Sequence, residues 1–143
     1  MQQVSPPVGP VLVVDDDPHI RQLVSVVLRR AGIEAETVSD GAAALECIRS
    51  RDYSVVLLDL MMPHVDGFQV IDQLAALGED DSRPMVLVMS ANLEGALGRM
   101  NDRVVSGFVQ KPFDITFLAS VVRKAIERLV NGSGGGRILP FPA

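Results

Sequence analysis

Residues 53–67 read YSVVLLDLMMPHVDG, and the fold turns on this stretch. Four apolar residues, Val55 to Leu58, follow one another without alternation and run into Asp59. A strand with one solvated face alternates apolar and polar side chains. A continuous apolar run marks a strand covered on both faces, the pattern of a central strand in a parallel sheet. The run breaks at Pro63 and Gly67, so the chain leaves the sheet just after the carboxylate. Burying an unpaired charge is costly. Asp59 therefore either caps a strand end or is a reactive oxygen on a rigid arm.

Working outward, the same pattern recurs. VLVVDDDP (11–18) is a β-branched run stopped by three aspartates and a proline. MVLVMS (85–90) is a further strand buried on both sides, and GFVQ (107–110) is a short one ended by KPF. IEAETVSD (33–40) alternates, which suits a sheet edge. Between these runs lie helical periods. Ile20, Leu23, Val24, Val27, Leu28 and Ala31 form one stripe, with Pro18 in the first turn and Gly32 past the end. Asp40 is placed to cap a helix through Ala44, Leu45 and Ile48. A third helix over 67–77 carries Ile71, Leu74 and Ala75 inward. Asp114 is placed to cap a last helix with Leu118, Val121, Val122, Ala125, Ile126 and Leu129 on its buried face. The fourth interval is weak, because Gly95 and Gly98 together oppose a helix by about 2 kcal/mol. Five strands alternating with helices predict a three-layer α/β fold around a parallel sheet.

Composition limits the classes open to such a chain. Its 143 residues suffice for one domain, expected over 10–130, with a flexible lead over 1–9 and a flexible glycine-rich tail over 131–143. Aromatic residues are only 4% and Trp is absent, so aliphatic side chains must build the core. A net charge of −5 argues against a standing attraction to nucleic acid or anionic lipid, so no direct nucleic-acid binding and no membrane partner are expected. The single Cys47 excludes an intramolecular disulfide and suits a reducing compartment. The start MQQVSPPVGP lacks the basic and apolar regions of a signal peptide, and no apolar run approaches about 20 residues. A cytoplasmic protein is expected.

Parallel strands share one carboxyl edge, where open α/β sheets place their ligands. Asp15 and Asp16 end the first strand, Asp59 the third, Ser90 the fourth and Lys111 the fifth. Three carboxylates gathered there repel one another by roughly 4 kcal/mol per pair at about 4 Å. A cation, a raised pKa or a neighbouring lysine must offset this, and an all-oxygen site with room for water suits Mg²⁺. Asp17, beside Pro18, reads as a helix cap; His19 and His64 read as exposed spectators.

With these residues in hand, the chain resembles the receiver domain of two-component response regulators. The resemblance runs from about Val11 to Leu129 through VLVVDDDP, VVLLDLMMPHVDG, VLVMSA and FVQKPF, in that order. It implies a doubly wound sheet of flavodoxin-like order 2-1-3-4-5, as in chemotaxis regulators. By the same resemblance Asp59 is the phosphoacceptor, taking its phosphoryl group from a histidine kinase or histidine phosphotransfer protein. Mg²⁺ is held by Asp15, Asp16, Asp59 and the backbone carbonyl of Met61, while Lys111 neutralises transition-state charge. Ser90 and Phe108 form the switch, and the Lys111–Pro112 peptide is cis. The implied behaviour is a switch that phosphorylates itself and slowly dephosphorylates itself, as a monomer or a phosphorylation-dependent dimer. The short sequence after Leu129 suggests a stand-alone receiver that signals to a downstream protein target. The alternative on this fold is an interaction module that works without phosphorylation. Two other classes fit less well. A haloacid dehalogenase-type phosphohydrolase needs an aspartate where Met61 stands, and an FMN site needs a phosphate cradle where DDDPH presents anions.

Overall fold

The computed structural model describes residues 9–77, 84–99 and 103–130. The tail expected over 131–143, and all but Gly9 of the lead expected over 1–9, lie outside the described residues. In chain order the elements are β1 (Val11–Val14), α1 (Pro18–Arg30), β2 (Ala35–Val38), α2 (Gly41–Ser50) and β3 (Val55–Asp59). They continue with α3 (Gly67–Ala76), β4 (Met85–Ser90), α4 (Leu93–Leu97), β5 (Val105–Gln110) and α5 (Ile115–Val130). All strand pairs are parallel and the sheet order is β2-β1-β3-β4-β5, the doubly wound order implied by the resemblance.

The two faces of the sheet collect separate apolar clusters. Leu12, Val14, Val56, Leu58, Val86 and Val88 meet α2, α3 and α4 on one side. Val11, Val13, Val55, Leu57, Leu87 and Met89 meet α1 and α5 on the other. Successive residues of one strand thus point into different clusters, which is why β3 and β4 contain no polar residue before their last position. The edge strand β2 keeps the polar alternation read from its sequence.

Local chemistry sets the helix ends. Asp17 accepts the His19 N–H at 2.9 Å and Asp40 the Ala43 N–H at 2.8 Å. Asp114 accepts from Thr116 and Phe117 at 2.8 and 3.1 Å. At α3, Asp66 and Gln69 form a reciprocal capping box. α1 ends where Gly32, at φ 81°, sends its N–H to Arg29 while Ile33 bonds Leu28, a left-handed closure that suits glycine.

Two boundaries and one buried position depart from the sequence reading. β5 begins at Val105, two residues early, because Val104 and Val105 are buried and a register shift lets Ser106 bulge before Gly107 pairs with Leu87. β2 begins at Ala35 rather than Ile33, whose N–H is engaged in closing α1. Leu23 is 40% exposed, since the buried face of α1 centres on Val24 and Leu28 and leaves Leu23 on its flank. Among the described residues, the glycine-containing interval forms the five-residue α4.

Candidate functional site

The carboxyl ends of β1 and β3, with the loops after β4 and β5, enclose an open cleft of about 490 Å³. Its walls are Asp15, Asp16, Asp17, Pro18, Asp59, Met61, Ala91 and Lys111. Parallel register brings this about: Val14 pairs with Leu58 and Asp59 with Met89, so β1 and β3 end side by side. Residues far apart in sequence thus meet at one edge.

One carboxylate oxygen from each of Asp15, Asp16 and Asp59 lies within 4.8 Å of the others. Asp15 is fully buried, Asp59 is 4% exposed and Asp16 faces solvent. The Lys111 ammonium enters from β5 and stands 2.9 Å from Asp15 Oδ2 and 3.5 Å from Asp59 Oδ2. Asp15 Oδ1 accepts the Asp17 N–H at 2.9 Å, and Arg21 of α1 donates to the Asp15 carbonyl at 2.8 Å. Asp59 Oδ1 accepts the Met61 N–H at 3.1 Å, while the Met61 side chain lies largely in solvent.

Burial, reinforced by the charges of Asp15 and Asp16, pushes the Asp59 carboxyl up to about 6; Lys111 and the Met61 N–H work against that rise. Asp59 is therefore mostly ionised at neutral pH but held there under strain that any added positive charge relieves. Burial alone disfavours the Lys111 ammonium, yet its hydrogen bond to Asp15 and the charge of Asp59 raise its pKa above the ordinary value. The donor chemistry of the three acids is hard oxygen throughout, which fits a divalent cation of the Mg²⁺ class and not a soft metal.

Asp59 is packed from behind as well. A Cβ on Gly67 would lie 2.6 Å from the Asp59 carbonyl oxygen and 2.7 Å from Leu60 Cα. Only glycine lets the start of α3 sit this close to the end of β3.

Of the other residues singled out in the sequence, Ser90 is buried at the end of β4, and its Oγ accepts the Asn92 N–H at 3.0 Å. Phe108 is partly buried against the α2–α3–α4 cluster, its Cα paired with Val88. The Lys111–Pro112 peptide is cis. Asp17 serves as the cap of α1, and His19, with its side chain 94% exposed, stands outside the cleft wall. His64 is exposed in the loop after β3 at φ 66°.

Three participants went unnoticed in the sequence. Arg21 holds the backbone of Asp15. Asn92 both engages Ser90 and caps α4 through Gly95. Gln110 donates from Nε2 to the carbonyls of Ala91 and Lys111 at 2.7 and 3.0 Å. A polar residue ending the apolar strand β5 was the one available signal for Gln110.

Comparison with known proteins adds the following. A family model described as the response regulator receiver domain matches residues 11–123. The DNA-binding response regulator MtrA of Mycolicibacterium smegmatis is 33% identical over 120 residues, covering 82% of this chain and 50% of that protein. The DNA-binding dual master transcriptional regulator RpaA of Synechocystis is 30% identical over 124 residues, covering 82% of this chain and 49% of that protein. Among solved structures, the Francisella response regulator 1452 receiver domain superposes with a TM-score of 0.72 at 29% identity, covering 84% of this chain and 98% of that one. Response regulator TrrA of Thermotoga maritima, solved in complex with Mg(2+)-BeF, gives 0.71 at 27% identity, covering 82% and 98%.

These relatives correct one expectation, that direct nucleic-acid binding is absent. MtrA and RpaA are DNA-binding by name, and the chain spans about half the length of each. The net charge of −5 concerns the present sequence alone and says nothing of DNA contacts made by another part of a longer protein. Among the described residues, no helix is long and apolar enough to cross a membrane.

Proposed function

Because this chain belongs to the response regulator receiver domain family of two-component systems, we propose that Asp59 is its phosphoacceptor. The phosphoryl group comes from a phosphohistidine on a partner kinase or phosphotransfer protein. An ionised Asp59 oxygen attacks phosphorus, the new O–P bond forms as the N–P bond breaks, and the electron pair returns to the imidazole nitrogen. The product is an aspartyl phosphate. Water later attacks that phosphorus, releasing inorganic phosphate and restoring the carboxylate.

Asp15, Asp16 and Asp59, with the carbonyl of Met61, would hold Mg²⁺. The ion when bound supplies positive charge that offsets the crowded carboxylates and the phosphoryl oxygens. Lys111 contributes a second positive charge from the opposite wall, held in place by Asp15. Ser90 donates its hydroxyl to a phosphoryl oxygen, and Phe108 repacks in response by shape alone, having no hydroxyl. The setting is the cytoplasm, consistent with a lone free Cys47. Phosphorylation thereby changes the surface offered to the downstream target.

One observation carries this reading: an ammonium and three carboxylates converge on one open cleft, with Lys111 at 2.9 Å from Asp15 and 3.5 Å from Asp59. Incubation with a small phosphodonor and Mg²⁺, followed by intact mass, tests it. The wild type should gain one phosphoryl group and Asp59→Asn none. An equal gain in both, or none in either, would sink the assignment of Asp59.

A further inference from the structure

Resting on the phosphoacceptor reading, we propose that the side-chain amide of Gln110 is a latch. It holds the Ser90–Ala91 segment in its phosphoryl-free arrangement and so opposes engagement of Ser90 with the phosphoryl group. The latch is built at the end of the β4–β5 ladder. The last backbone rung runs from the Lys111 N–H to the Ser90 carbonyl at 2.7 Å. Ala91, the next residue, lies beyond β4. Gln110 adds a further tie from its side chain, donating to the Ala91 carbonyl at 2.7 Å. The same Nε2 donates to the Lys111 carbonyl at 3.0 Å. Both partners are carbonyl oxygens, which only accept, so the amide must present its nitrogen to them. One planar group thus ties the loop carrying Ser90 to the loop carrying Lys111.

The tie bears directly on the cleft. Ala91 and Lys111 are both cleft walls. Ser90 Oγ, meanwhile, accepts the Asn92 N–H at 3.0 Å. Turning that hydroxyl toward a phosphoryl oxygen on Asp59 gives up the Asn92 N–H that closes this turn, and the carbonyl Gln110 grips lies in the middle of the turn. Gln110 is not among the walls of the cleft that holds Asp59. It is a positioning residue that acts through Ser90. With the amide's bond assigned to the resting arrangement, releasing it lets a ligand that favours the other arrangement bind more tightly.

Gln110→Leu keeps the side chain's bulk and removes both donors; Gln110→Met, unbranched and of similar length, is the second variant. Two readouts separate the latch from general destabilisation. In phosphoryl-free protein, the Asn92 and Lys111 amides should exchange with solvent about fivefold faster, the worth of one net hydrogen bond, while Leu87 in the middle of β4 keeps its wild-type rate. In a beryllofluoride titration with Mg²⁺, the variants should half-saturate at about fivefold lower beryllofluoride. Unchanged exchange at Asn92, or affinity equal to or weaker than wild type, overturns the latch. A wild type that takes up no beryllofluoride sinks the phosphoacceptor reading instead. The exchange rates then still decide whether Gln110 restrains the loop.

Discussion

Replacing Asp59 by asparagine should stabilise the metal-free protein above neutral pH. Asparagine stands in for the protonated carboxyl: it has the same shape, carries no charge, and can still accept the Met61 N–H that Asp59 accepts at 3.1 Å. Burial, with the charges of Asp15 and Asp16, lifts the Asp59 carboxyl from 3.8 to about 6 against the opposing pull of Lys111. Unfolding returns it to the ordinary value. Between those two values the native state binds more protons than the unfolded chain. The contribution of this group to stability is therefore full below 3.8 and is lost as pH rises through about 6. At about 1.4 kcal/mol per pH unit of displacement, the ionised carboxylate costs the fold about 3 kcal/mol at pH 8. Asp59→Asn should recover most of that, a rise in Tm on the order of 10 °C for a domain of this size. Urea unfolding followed by circular dichroism at pH 4, 6 and 8, with chelator and constant ionic strength, gives the comparison directly, provided the slope with urea is shared. The gap should narrow toward pH 4, where the wild type carries the proton. Mg²⁺ added at pH 8 should stabilise the wild type more than the variant. A variant no more stable than wild type at pH 8, or a gap as wide at pH 4, would refute burial as the origin of the raised pKa.

Lys111→Met removes the cation 3.5 Å from Asp59, so the Asp59 carboxyl should titrate well above about 6 in carboxyl-carbon NMR; a midpoint unchanged or lowered contradicts the geometry. Gly67→Ala puts a methyl group 2.6 Å from the Asp59 carbonyl oxygen, and overpacking of that kind should cost about 2 kcal/mol in urea unfolding while reducing phosphoryl uptake. Asp40→Ala deletes the cap on Ala43 and should cost about 1 kcal/mol without altering phosphoryl uptake, which makes it the control for stability loss away from the cleft.

Much of this molecule is written in short-range pattern. The unbroken apolar runs of β1, β3 and β4, the alternation of β2 and the 3.6-residue stripe of α5 are each set by neighbours a few positions away. So are the caps at Asp17, Asp40 and Asp114, whose side chains bond backbone groups two or three residues on. Because parallel strands share a carboxyl edge, even the meeting of Asp15, Asp16, Asp59 and Lys111 could be read from strand ends alone, whereas Ser90 at the end of β4 is not a wall of their cleft.

What stayed hidden depends on distances across the sheet. Asp15 and Asp16 are adjacent and chemically alike, yet one is fully buried and the other exposed. Lys111 lies nearer to Asp15 than to Asp59, an arrangement that links residues 96 positions apart. The bulge at Ser106, which brings Gln110 opposite Ser90, follows from register against β4 and leaves no mark in the sequence of β5. Desolvation, ion pairing and side-chain rungs are through-space energies that fall off within a few ångströms. They acquire values only once the chain has brought its distant segments together.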